Sequence, residues 1–184
     1  MGVKPDHWII EMAERHAMIS PFSADQVRQG ISFGPSSYGY DFRLANEFKL
    51  LKTDLDLTID PKQDNHALFD DVTAESVVIP PRSFILARSL EYFRIPRNII
   101  TVCFGKSTYA RSGVVVNVTP FEPEWEGFAT LSLANTAPLP VRVYAGEGIA
   151  QLLFLEATEI CTTSYKDKKG KYQGQVSITL SKGK

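Results

Sequence analysis

Residues 105–127, GKSTYARSGVVVNVTPFEPEWEG, hold the densest set of side chains suited to gripping an anion. Lys106, Ser107 and Thr108 follow the apolar run IITVCF. Backbone N–H groups, one ammonium and two hydroxyls therefore gather at a strand end, where such groups form anion-binding concavities. Arg111 comes four residues after Ser107, one turn on in helical geometry, and its planar fork can reach the same ligand. The same spacing also describes a polar turn with ordinary surface charges, and spacing alone leaves both readings open. Near the other end, Lys171, Tyr172 and Gln175 in KYQGQ can fold over a ligand as a lid, with Gly174 as its hinge. A solvated tail is the plainer alternative there.

Several chemistries are excluded by what is missing. Zinc-dependent nucleobase deaminases need His-x-Glu followed by Pro-Cys-x-x-Cys. His7, His16 and His66 lack that Glu, and neither Cys103 nor Cys161 has a partner three residues away, so no zinc or other protein-held metal site is expected. There is no P-loop, no Rossmann glycine fingerprint and no nucleophile elbow. The 20 basic and 21 acidic residues are dispersed, for a net charge of −1, which argues against a nucleic-acid face or a patch for anionic membranes. An anionic ligand must therefore be held locally. The two distant cysteines, in apolar strand-like contexts, are expected to be buried and reduced, as in a cytosolic protein. The start MGVKPDHWIIEMAERH has neither the apolar core nor the cleavage site of a secretory signal, and no window suits a membrane span. A soluble, cytoplasmic protein is expected.

These residues must be positioned by a mostly β framework. At 184 residues and 43% apolar content, one domain over residues 1–184 is expected. Trp8, Ile9, Met12 and Ala13 make one helical stripe, and Ser23 with Gln26, closed by Gly30, predicts a second short helix over 23–29. From Tyr38 onward the chain is a series of short β-rich runs broken by Pro, Gly and Asp. They are EFKLL, LDLTID, SVVIP, SFILARS, EYFRI, IITVCF, VVVNVT, FATLSLAN, VRVYA, IAQLLFLEA and VSITL. Such spacing indicates a mainly β antiparallel barrel or jelly roll, preceded by short N-terminal helices, rather than alternating βαβ units.

Taken together, SSYGYD (36–41), GKSTYAR (105–111), EPEWEG (122–127), GEGIAQLLF (146–154) and GKYQGQ (170–175) resemble, in order and spacing, the motifs of the dCTP deaminase/dUTPase family, nearest to bacterial dCTP deaminases. The resemblance covers nearly the whole chain. It implies a distorted, dUTPase-like jelly roll assembled as a homotrimer, with sites at subunit interfaces closed by the tail 165–184. It also implies hydrolytic deamination of dCTP to dUTP and ammonia without zinc, with magnesium riding on the triphosphate. Carried over by motif, Lys106, Ser107 and Thr108 belong to the nucleotide pocket, Ser107 and Arg111 to the catalytic group, and Lys171 and Gln175 to the triphosphate-covering tail. Tyr165 lies near the family's tail tyrosine, across a loop of different length. Glu122 falls where dUTPases carry the aspartate that activates water. One departure stands out: the family strand after EPEWEG reads Thr-Leu-Glu-Phe, its Glu activating water against C4 of cytosine, whereas here Thr130-Leu131-Ser132-Leu133 puts Ser132 in that place. Three activities follow: a deaminase with a relocated base, a diphosphohydrolase of dUTP or a modified pyrimidine triphosphate using Glu122, or a non-catalytic nucleotide binder. Glu124 and Glu126, the other carboxylates nearby, are expected on a solvated face.

Overall fold

The computed structural model describes residues 2–52 and 56–182. The first helix, α1 (Asp6–His16), forms where the sequence places its apolar stripe. It buries Ile9 and Ala13, and Asp6 in its first turn and Arg15 and His16 in its last complement the helix dipole. The strands that follow β1 (Gly2–Val3) are β2 (Ile19–Ser20), β3 (Gly34–Ser36), β4 (Gly39–Leu51), β5 (Phe69–Thr73), β6 (Ser76–Ile79), β7 (Phe84–Arg94) and β8 (Ile99–Gly105). A one-turn helix α2 (Ser107–Ala110) then precedes β9 (Val114–Asn117), β10 (Glu126–Asn135), β11 (Val141–Tyr144) and β12 (Gly148–Glu156).

The main sheet runs β1-β12-β4-β7-β10-β9, with β2 added on β7, β3 and β5 on β4, and β8 on β12; β6 and β11 pair separately. Strand β4 is long enough to serve two halves. Tyr40 to Arg43 pair with β12, whereas Glu47 to Leu51 pair with β5 and Phe48 to Leu50 with β7. The sheet curls into a half-barrel of the dUTPase-like type. Its concave side is filled by Phe42, Phe48, Phe93, Leu131, Leu133 and Phe154, all essentially inaccessible to water.

Strand parity decides what faces outward. In β10, Gly127, Ala129, Leu131, Leu133 and Asn135 are buried, so Phe128, Thr130, Ser132 and Ala134 share the half-buried outer face. The register sets Thr130 opposite Arg88 and Ser132 opposite Leu86 on β7, and Ser132 opposite Asn117 on β9.

Three expected elements are absent. Residues 23–29 are not helical: Val27 bridges Phe33, and Ser23 directs its hydroxyl to Asp25 O and its N–H to Tyr40 Oη, so local backbone groups are used otherwise. In LDLTID, Leu55 lies outside the described residues, and 56–60 form no strand, with Leu57 64% and Ile59 45% exposed. A run that buries nothing gains nothing from pairing. VSITL also makes no strand. β9 pairs with Ser132–Asn135, and the other half of that edge of β10 is met by Gln175, which bridges Gly127; beyond it the segment leaves the ladder, Thr179 N donating to Thr130 Oγ1 while Ile178 and Leu180 are buried. The cysteines are free thiols, half-buried rather than buried; Cys161 sits in a loop, and burial pushes the Cys103 thiol up to about 12.

Candidate active site

A cavity of about 810 Å³ opens on the outer face of β10. Asn117 and the segment 118–122 form one wall, Trp125, Ala129, Thr130 and Ser132 the floor, Leu86 and Ile100 flank them, and Tyr165, Lys171, Tyr172, Gln175, Thr179 and Ser181 form the roof. The floor is rigid because it is sheet. Trp125, 5% exposed, packs on Phe121 with ring centroids 4.6 Å apart, and Phe121 packs on Phe93 of the core.

The roof is bonded to the floor at several points. Gln175 bridges Gly127 in parallel, Phe128 N donates to Gln175 O (2.9 Å) and Gly174 N to Glu126 O (2.9 Å). At Gly127 a side chain is not tolerated: its φ is +146°, and a Cβ there would lie 2.8 Å from Gln175 N. Trp125 Nε1 donates to Tyr172 O (2.8 Å), Thr130 Oγ1 to Gln175 Oε1 (2.9 Å), and Tyr172 N to Tyr165 Oη (3.0 Å). Lys171 Nζ donates to Lys182 O, and the ammonium groups of Lys171 and Lys182 both lie over the Tyr172 ring.

Of the side chains singled out in the sequence, Glu122, Ser132, Tyr165, Lys171 and Gln175 line this cavity. Glu122 is the one carboxylate among its described lining residues, and Lys168 Nζ lies 2.5 Å from it. Glu124 and Glu126 instead line a smaller cavity of about 290 Å³ on the other side of Trp125, with His16, Arg94 and Lys166. Glu124 pairs with Arg97 at 2.6 Å, and Glu126 lies 3.9 Å from Arg94.

Lys106, Ser107, Thr108 and Arg111 form a second group, away from the cavity lining. Ser107, Thr108 and Arg111 are exposed on and just after α2, with Arg111 Nη1 donating to Ser107 O. Tyr109 anchors that turn: it is buried, its hydroxyl accepts from Tyr144 N, and burial pushes the phenol up to about 12. Lys106 is only 12% exposed, and its Nζ lies 2.5 Å from the 6% exposed carboxylate of Asp41. Gln151 Nε2 donates to the other oxygen of Asp41 and to Ser36 Oγ. Three sequence motifs, SSYGYD, GKSTYAR and GEGIAQLLF, thus meet in one polar knot that fixes where α2 begins.

Sequence reasoning missed Trp125 as cavity floor, Thr130 as the tail's polar anchor, Arg97 and Asp41. Thr130 was accessible in principle, since strand parity puts it on the face of Ser132. Arg97 carries no local signal, because its partners are remote in sequence.

Among the described residues no helix is long and apolar enough to cross a membrane. The dCTP deaminase-like family model matches residues 3–157. The chain is 57% identical to the dCTP deaminase of Paracidovorax citrulli, over 99% of this chain and 100% of that one. It is 58% identical to the dCTP deaminase of Thiobacillus denitrificans, with the same coverage of both. In fold it is similar to the crystal structure of 2'-deoxycytidine 5'-triphosphate deaminase from Agrobacterium tumefaciens, with a TM-score of 0.63 at 16% identity, over 83% of this chain and 47% of that longer one. A match over residues 3–157, with relatives this similar along their whole length, places the chain in the dCTP deaminase-like family.

Proposed function

We propose that this protein hydrolyses dCTP to dUTP and ammonia, in the cytoplasm, as a homotrimer with its sites between subunits. The observation that carries the activity is the likeness to dCTP deaminases of 57–58% identity along 99% of the chain. The cavity supports it. It combines an aromatic and apolar floor suited to a base with Lys171, Gln175 and Tyr165 on a tail suited to a triphosphate. Magnesium enters with the nucleotide, bound to its phosphates.

The reaction needs water added at C4 of the cytosine ring, a proton placed on N3 and another on the departing nitrogen. In this reading Ser132 lies beside the reacting carbon and hydrogen-bonds the water, while Ser107, Thr108 and Arg111 arrive from a second copy. Lys106 contributes by holding the start of α2 against Asp41. The trimer is supported by the separation of the two residue groups within one chain. It is supported too by exposed apolar side chains: Ile100 (38% exposed) and Phe104 (55%) on one face of β8, and Val115 (51%) on β9.

A serine hydroxyl is a poor base near neutral pH, and one observation therefore favours a second reading. Glu122 lines the cavity as its one described carboxylate, which suits a diphosphohydrolase that activates water for attack on a phosphate of dUTP or a modified pyrimidine triphosphate. Incubation with dCTP and dUTP, resolved by product, tests both. Ammonia from dCTP is expected; pyrophosphate release without ammonia would replace the deaminase reading by the second, and nucleotide binding with neither product would leave a binding module.

A further inference from the structure

Arg97 belongs to neither group of candidate residues. It lies in the turn between β7 and β8, off the larger cavity, and its guanidinium binds four acceptors on two remote segments. Nη1 donates to Glu124 Oε2 (2.6 Å). Nη2 donates to Asp167 Oδ2 (2.8 Å), Thr162 O (3.2 Å) and, at 3.4 Å, Cys161 O. The first arm holds the residue next to Trp125, the cavity floor. The second holds the loop that carries Tyr165 and begins the tail.

The held segments also touch each other. Tyr165 N donates to Pro123 O and Gln173 Nε2 to Glu124 O. Glu124 has φ +61°, a left-handed conformation that a residue with a side chain keeps only when its surroundings enforce it. Asp167 is capped in turn, accepting from Ser164 N while Asp167 N donates to Ser164 Oγ. One planar fork therefore ties the Trp125 turn to the root of the tail, beside the bonds the tail makes further along, and a lysine, a point charge without the fork's geometry, would not reproduce it.

We propose that Arg97 is a positioning residue of the nucleotide cavity, clamping the Trp125 turn and the root of the tail so that Tyr165, Lys171 and Gln175 close over the ligand in register. This rests on the nucleotide reading given above. It adds a residue that touches no substrate and acts through Glu124 and Asp167.

The test compares the full-length parent with Arg97→Ala, Arg97→Lys and Asp167→Asn, and with Arg15→Ala as a control that breaks an exposed helix pair only. Trypsin cleavage after Lys166, Lys168 and Lys169 without nucleotide reads the docking of the tail. Calorimetric titration with dCTP reads the cavity, and thermal melting reads the fold. Arg97→Ala is expected to speed tail cleavage and to weaken dCTP binding by about 5- to 150-fold, the range over which coupling between distant groups changes an affinity. Arg97→Lys should fall between it and the parent, and Arg15→Ala should match the parent. Should Arg97→Ala not fold, Asp167→Asn, which removes the charge that Arg97 and the Ser164 N–H both bind, carries the same expectation. A folded Arg97→Ala or Asp167→Asn protein with the parent's dCTP affinity and tail protection overturns the clamp, even if its melting temperature drops. A parent that binds no dCTP removes the nucleotide reading instead, and tail cleavage then decides the clamp by itself.

Discussion

Ser132 and Thr130 sit two residues apart on the same face of β10, yet only Thr130 is engaged by the tail. The hydroxyl of Ser132 thus faces the cavity from a fixed backbone, paired on both sides. If the cavity is built for deamination, Ser132→Glu should raise ammonia release from dCTP by up to ~10²–10⁴-fold, the usual worth of a positioned base. Arg111 of a second copy would keep that carboxylate ionised. A variant that folds, binds dCTP and releases no more ammonia than its parent would move the assignment to the diphosphohydrolase or the binding module. The two lysines divide differently. Lys171 is exposed and among the described residues its ammonium bonds within the tail, so Lys171→Ala should spare folding and weaken dCTP binding by ~1.5–3 kcal/mol, the worth of a charged hydrogen bond. Lys106→Ala would strand the buried Asp41 carboxylate with Gln151 as its remaining side-chain donor besides solvent. Breaking such a pair costs ~3–5 kcal/mol, so this variant should fail first in urea melts. A Lys106→Ala protein as stable as the parent would show that the knot does not hold α2.

At the scale of elements, the tail is an arm docked by hydrogen bonds and ion pairs, and its response to pH follows from them. The carboxyl of Asp167 is held below the usual aspartate range, first by the Ser164 N–H and then by the Arg97 guanidinium. A depressed folded value means stabilisation that is complete above the unfolded value, near ~3.9, and lost as pH falls through the lower folded one. Docking should therefore be flat from about pH 5 to 8 and loosen only below about pH 4. Emission from Trp125 in a Trp8→Phe background reads this directly. A transition centred near pH 6 would show that Asp167 does not control the docking. The elements also show what the letters could convey. Short β-rich runs between turn residues marked β8, β10 and β12, whereas the two runs SFILARS and EYFRI join into the single strand β7. VSITL is equally β-rich and is no strand: its Thr179 N–H goes to the Thr130 side chain rather than to a ladder, a contact with a residue far away in sequence. Likewise GKSTYAR and KYQGQ are legible as ligand-binding motifs, but nothing local states that one chain keeps them apart.

That separation is a property of the whole molecule. A site divided between Ser107–Thr108–Arg111 and the cavity of Ser132 closes only if copies associate head to tail, and such contacts close into a ring when the rotation permits. The parent should scatter light as three times its 20.5 kDa chain at micromolar concentration. Phe104→Arg, which puts a charge in place of a 55% exposed aromatic ring, should give a folded monomer that no longer binds dCTP. A parent that stays monomeric would end the model outright. Complementation asks the sharper question of whether sites are shared. Arg111→Ala and Lys171→Ala chains, each weak in dCTP binding alone, are refolded together in equal amounts. If each site takes Arg111 from one copy and Lys171 from its neighbour, random ring assembly restores roughly a quarter of the sites to full composition. If both residues serve the same chain's site, every site carries one of the two mutations and no tight site appears, so the stoichiometry of tight dCTP binding separates a trimer that shares its sites from one that merely packs together.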